Sequence, residues 1–290
     1  MKDKIAYILF FAFVKVIQAS PKWAISLINS FFYHLIWHLD FFRKKIVLRN
    51  LEIAFPNLTQ KERLHIAKKT YKNYIYYLSE MIKNINISKE ELNKKVSLIG
   101  ENYLLEAINS KKPIIFMTAH FGNWELVPKV IGANYTPMVV LMREFDNKKI
   151  GEIFKKSRNS FNISTLNKDA SIKGILKALK EGKSLAILID QHTYQTNAIK
   201  VDFFNQRVKF NRSITTLSEK FNAIVVPMFS YQKDGKYFLE FQKPKSFSKE
   251  DTIESFTQWQ ASTIEEMIKK YPSEYYWFHK RFKNIPHIYD

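Results

Sequence analysis

From Pro113 onward, short runs of β-branched and apolar residues alternate with stretches of helical periodicity, and that alternation constrains the fold more than any other feature. The runs lie at 113–118, 138–142, 184–189, 223–229 and 237–241. Between them helices are expected near 124–132, 147–160, 170–181, 211–221 and 254–270. Strands separated by helices imply an α/β sheet, substantially parallel and flanked by helices, with active residues at the carboxyl ends of its strands. Upstream, 59–85 reads as a helix opened by the capping box Thr59-Gln60-Lys61-Glu62, and Ser88-Lys89-Glu90-Glu91 opens a shorter one. No Gly/Ser/Pro-rich linker divides the chain, so one catalytic domain, 41–290, is expected behind an N-terminal apolar segment, 1–40.

That segment holds an apolar run at 5–14 and a second at 23–37, separated by Pro21. Each falls short of the roughly 20 apolar residues needed to cross a bilayer. Two short apolar helices around a proline turn suit a hairpin dipped into one leaflet, or a tilted anchor followed by an interfacial helix. Two competing readings are a cleaved signal peptide ending near Ala19 and a pair of helices buried in a soluble protein. Arg43, Lys44, Lys45 and Arg49 follow directly, where a basic patch would meet anionic head groups, although such a run can also be a solvated helix face.

The chain carries 46 Lys+Arg against 27 Asp+Glu, a formal charge of +19 that would draw it toward anionic lipid, nucleic acid or an acidic protein. Its basic residues are scattered through aromatic and aliphatic runs, and no zinc-finger or RNA-binding signature is present, so no nucleic-acid partner is expected. The absence of Cys excludes disulfides and thiolate metal sites.

The sharpest chemical signal is 114–125, in which an apolar strand runs into His120-Phe121-Gly122-Asn123-Trp124-Glu125. Gly122 allows a tight turn, so His120 is presented at the carboxyl edge of the sheet beside a helix start. A neutral imidazole can take a proton from a hydroxyl near neutral pH. A carboxylate five residues on, Glu125, is expected to reach back to the other ring nitrogen and orient it. With no Cys and no Gly-x-Ser-x-Gly elbow, the attacking hydroxyl should come from the substrate. The spacing does not place His120 and Glu125 on one helix face, so no metal is expected.

The block at 120–125 resembles the His-x4-Asp/Glu motif of glycerolipid-type acyltransferases, in the form found in the bacterial lipid A secondary (late) acyltransferases. Arg49-Asn50-Leu51 with Phe55-Pro56, Arg143 with Asn147 and Arg158, Gly182 leading to Asp190-Gln191, and the stretch from Trp277 to Lys283 are similar to further blocks of that family. Together they span nearly the whole chain. Two departures stand out: no glycine is evident after Asp190-Gln191-His192, and Asn205 stands where the family's Val-Pro-Phe-Phe-Gly ends in glycine.

The resemblance implies a glycerolipid acyltransferase-like fold and transfer of a fatty acyl chain from acyl carrier protein to a hydroxyl of a 3-hydroxyacyl chain on a Kdo-bearing lipid A precursor. No cofactor is implied beyond the carrier's thioester. The partners expected are the acidic carrier, an anionic glycolipid and the membrane surface, with the catalytic domain on the cytoplasmic face of the inner membrane. His120 would act as general base with Glu125 orienting it. Arg143 and Arg158 would bind phosphate or a developing oxyanion, or else be surface arginines. Asp190 and Gln191 would line the same edge, and Asn123 would donate within the site, with capping as the alternative for Asp190 and Asn123. His279 reads as packing or head-group contact. Two rival functions stay open: an acyltransferase for another glycolipid or a lysophospholipid, and a non-catalytic lipid-binding protein.

Overall fold

The computed structural model describes residues 2–39, 42–142, 145–167, 172–194, 196 and 198–290, with the backbone alone at 2–6 and 172. The N-terminal part is helical: α1 (Lys2–Ala19), α2 (Lys22–His38), α3 (Lys44–Ala54), α4 (Gln60–Lys83) and α5 (Lys89–Lys95). An alternating region follows: β1 (Val96–Ile99), α6 (Glu101–Asn109), β2 (Ile114–Thr118), α7 (Leu126–Asn134), β3 (Met138–Met142), α8 (Lys148–Asn159), β4 (Ile163–Asn167), α9 (Ile172–Lys180) and β5 (Ser184–Leu188). The chain ends with β6 (Ile199–Phe203), β7 (Gln206–Phe210), α10 (Ser213–Phe221), β8 (Ile224–Lys233), β9 (Lys236–Phe241), β10 (Lys245–Ser246) and α11 (Ile253–Lys270).

The described strands form an eight-stranded sheet in the order β1-β9-β8-β2-β5-β3-β4, with β10 paired to β8, and a separate β6–β7 ribbon. From β8 to β4 the neighbours along this order are parallel, while β9 and β10 run antiparallel to β8, which makes the sheet mixed. The central strand β2 is buried along its whole length. Its side chains alternate between two cores: Ile115 and Met117 join the cluster containing Leu51, Tyr71 and Ile264, whereas Ile114 and Phe116 join the one built on Leu104, Val127 and Leu239. A strand covered on both faces reads as an unbroken apolar run, which is how 113–118 is written.

Both expected capping boxes form. Thr59 and Ser88 each accept from the backbone three residues on, and Glu62 and Glu91 reach back to the cap backbone. The edge strand β4 and the ribbon β6–β7 do not follow from apolar runs. Ile199, Val201, Phe203, Val208 and Phe210 of the ribbon pack against the core, and polar or charged residues alternate with them. Phe204 and Asn205 form the two-residue ribbon turn at φ 51° and 58°. Asparagine tolerates that left-handed backbone better than most residues, so Asn205 can stand where glycine would.

α1 and α2 meet at the Ser20–Pro21 turn. Val14, Ile17 and Ile25 pack with Ile82 and Ile85 at the end of α4 and with Phe154 of α8. Other side chains of the same helices face outward, Leu9 being 66% exposed and Trp23 69%. No helix among the described residues is long and apolar enough to cross a membrane.

Candidate active site at the carboxyl edge of the sheet

His120 lies two residues beyond β2. The turn that follows is fixed by close approach: Gly122 has φ 55°, and a Cβ there would sit 1.9 Å from the Ser230 carbonyl oxygen. The Gly122 N–H donates to the Glu274 carbonyl at 2.8 Å, and the Tyr276 N–H donates to the His120 carbonyl at 2.9 Å. The C-terminal segment thereby clamps the turn from outside the sheet.

The parallel pairing of β2 with β5 sets Thr118 opposite Leu188. Two residues further along each strand, His120 and Asp190 come together. His120 Nδ1 is 2.9 Å from Asp190 Oδ1, and the His120 backbone N–H donates to the same oxygen at 3.1 Å. Because the carboxylate accepts, Nδ1 carries the proton of the neutral ring and Nε2 keeps its lone pair. The His120 side chain is 26% exposed and that of Asp190 1%. Burial alone would raise the Asp190 pKa, yet attraction to His120 and the hydrogen bonds from its ring and backbone outweigh burial and hold it below the ordinary value. Gln191 Nε2 lies 3.4 Å from His120 Nε2. Trp124 and Tyr276 flank the imidazole at ring-centroid distances of 5.4 and 5.8 Å.

The expectation that Glu125 orients His120 is corrected by this geometry. Glu125 Oε1 accepts from Arg158 Nε at 2.7 Å and pairs with Arg158 Nη2 at 2.5 Å. The cause is where the turn ends: Glu125 already has helical backbone as the residue preceding α7, and its carboxylate is engaged by α8. Arg158 is itself buried, so it is neither a surface arginine nor a free anion ligand. Beside this pair, Lys129 donates to the Asn84 carbonyl at 2.7 Å and to Ser157 Oγ at 2.9 Å. Burial pushes the Lys129 pKa down to about 8, with Glu125 opposing that shift and Arg158 adding to it. Asn123 is buried beside Tyr237. Arg143 lies outside the described residues.

Sequence reasoning placed Asp190 at this edge but missed that it is the imidazole's partner. It also missed Glu274, which holds the clamping segment. The Tyr77 hydroxyl donates to Glu274 Oε2, and Asn73 Nδ2 donates to Oε1 at 2.8 Å. Burial raises its pKa from 4.5 to about 7, against the lowering effect of the Tyr77 hydrogen bond. A carboxyl whose folded pKa is raised binds its proton more tightly in the native state, so its contribution is full below about pH 4.5 and is lost as pH rises through about 7. The expected loss over that window is on the order of 3 kcal/mol. Urea unfolding at pH 5 and pH 8 should show that decline, and Glu274→Gln should flatten it.

An imidazole held by a buried carboxylate at the carboxyl edge of an α/β sheet is an arrangement that more than one class of enzyme uses. Comparison with known proteins fixes which. The family model described as bacterial lipid A biosynthesis acyltransferase matches residues 2–284, and the chain belongs to that family of O-acyltransferases. It is similar to the lipid A biosynthesis lauroyltransferase of Escherichia coli K12, 27% identical over 247 residues that cover 84% of this chain and 80% of the relative. A lipid A biosynthesis acyltransferase of Haemophilus influenzae is 26% identical, with 84% and 78% covered, and the palmitoleoyltransferase of Escherichia coli K12 is 23% identical, with 84% and 80% covered. Among solved structures, the 1-acyl-sn-glycerophosphate acyltransferase PlsC of Thermotoga maritima aligns with a TM-score of 0.42 and 12% identity over 84% of this chain and 96% of that one.

Proposed function

We propose that the protein transfers a fatty acyl chain from acyl carrier protein to a hydroxyl of a 3-hydroxyacyl chain on a Kdo-bearing lipid A precursor, with His120 as general base. The observation that carries this reading is the His120 Nδ1 contact to buried Asp190, which leaves Nε2 as the proton acceptor on a ring that is still partly open. A hydroxyl delivered to Nε2 would displace the weak Gln191 contact, lose its proton as its oxygen attacks the thioester carbonyl, and release the carrier thiol. Asp190 orients the ring and stabilises the imidazolium that forms. Glu125 serves through Arg158 by holding α7 to α8.

Membrane contact would come from the outward faces of α1 and α2, lying in one leaflet. Beside them a pocket of about 440 Å³ is lined by Arg43, Lys44, Lys45, Arg49, Lys280 and Tyr289. Its cations suit the phosphates and sugar acids of the acceptor. The net charge of +19 suits the acidic carrier as well.

Mass spectrometry of lipid A from cells lacking the protein tests the assignment: a loss of one acyl chain is expected. Incubating the purified protein with an acyl carrier protein thioester and a panel of acceptors decides between acceptors. Acylation of lysophospholipid alone would overturn the acceptor, and an unchanged lipid profile in the deletion would favour the non-catalytic reading.

A further inference from the structure

A pocket of about 1090 Å³ opens between α2, α4, α5 and the β8–β9 hairpin. Lys72, Tyr76, Glu80 and Lys83 line it from α4, recurring every three or four residues along one face. Tyr74, whose ring centroid is 5.6 Å from that of Trp124 beside His120, leaves the helix on roughly the opposite side, so α4 stands between the pocket and the catalytic imidazole. The pocket is lined by six lysines, Lys22, Lys72, Lys83, Lys94, Lys95 and Lys236, against two carboxylates. Both carboxylates are already engaged: Glu80 pairs with Lys95, and Glu91 accepts from the Ser88 backbone N–H at 3.1 Å. Lys83 donates to the Ser20 carbonyl at 3.1 Å. Among the described residues Lys22, Lys72, Lys94 and Lys236 form no ion pair. Their charges add, so an anion entering the pocket is attracted by all four.

The shape of α2 selects among anions. Lys22, Ser26 and Ser30 line the pocket, and the residue after each of them, Trp23, Leu27 and Phe31, is exposed. One residue turns a helix by about 100°, so an outward apolar stripe adjoins the cationic wall along the first half of α2. A molecule that matches both is amphiphilic, with a negatively charged head in the pocket and hydrocarbon along the stripe. The lysine ammonium groups and the Ser26 and Ser30 hydroxyls are donors, which suits the oxygens of a phosphate.

We propose that this pocket holds the phosphate head group of an anionic bilayer phospholipid that is not a substrate of the enzyme. The proposal rests on the reading that the outward face of α2 lies in a leaflet, and the two are tested apart. The full chain is co-sedimented with phosphatidylcholine vesicles that contain or lack phosphatidylglycerol. The double variant Lys22→Gln/Lys236→Gln should weaken binding to the phosphatidylglycerol vesicles by on the order of tenfold and leave binding to phosphatidylcholine alone unchanged. Lys220→Gln/Lys249→Gln, which removes the same charge from exposed positions outside the pocket, should change neither. An unchanged affinity in the pocket variant, or an equal loss in both variants, overturns the site. Inorganic phosphate, compared with chloride at equal ionic strength, should not release the protein; selective release would give the pocket to a free anion and overturn the lipid. Trp23→Ser/Leu27→Ser should weaken binding to both kinds of vesicle, and no effect on either would overturn the leaflet reading and the lipid assignment with it. Acyl transfer in detergent micelles should be the same in the pocket variant as in wild type, whereas a loss there would make the pocket part of the substrate path. The replaced side chains are all exposed, so every variant should melt near wild type.

Discussion

Replacing His120 with alanine should lower acyl transfer by about 10²- to 10⁴-fold, the usual contribution of a positioned general base. The same change should leave the melting temperature close to wild type. The ring is partly exposed, its flanking aromatics lie more than 5 Å away centroid to centroid, and Asp190 retains the His120 backbone N–H after truncation. Initial rates with a carrier-protein thioester, taken together with a melting curve, check both halves. A variant that melts normally and still transfers acyl chains at the wild-type rate would remove His120 from the chemistry.

The second large effect separates the two carboxylates. Asp190→Asn should lower kcat by about 10²-fold or more, because an amide can hold the ring in the wrong tautomer and cannot stabilise an imidazolium. Glu125→Gln should act mainly on stability. It leaves the buried Arg158 guanidinium without its anion, a change that costs roughly 3–5 kcal/mol where a buried pair is broken. Replacing Arg158 in the same protein should recover part of that loss, since the stranded charge is then gone. Comparing kcat with unfolding free energy in the two single variants reads this directly. If Glu125→Gln abolished turnover at full stability while Asp190→Asn stayed active, Glu125 would be the residue that serves His120.

The strand–helix alternation, the two capping boxes and the His120 turn were all legible because each is a local pattern whose cause lies within a dozen residues. β2 announces itself by an apolar run, and Gly122 by the turn it must make. The partner of His120 was not legible in the same way. Nothing in the sequence says that β5, some 70 residues away, lies beside β2, and Glu125 offered a nearer carboxylate at a familiar spacing. The ribbon β6–β7 was missed for a different reason, since its alternation of charged and apolar residues is a period-two signal that a search for apolar runs passes over. Glu274 gives no sequence signal beyond its charge; only burial makes it unusual.

The pairing of Thr118 with Leu188 also bears on how the enzyme comes into being. Its two strands are separated in the chain by α7, β3, α8, β4 and α9, and bringing such distant segments together costs entropy before any contact rewards it, so this zipper is expected to complete late in folding. A nascent chain released before β5 would carry the histidine with no acid behind it. A slip of a single residue between the two strands would turn one side chain toward the opposite face. Gain of activity during refolding should therefore lag the recovery of helical signal, and catalysis becomes a reporter of correct strand alignment.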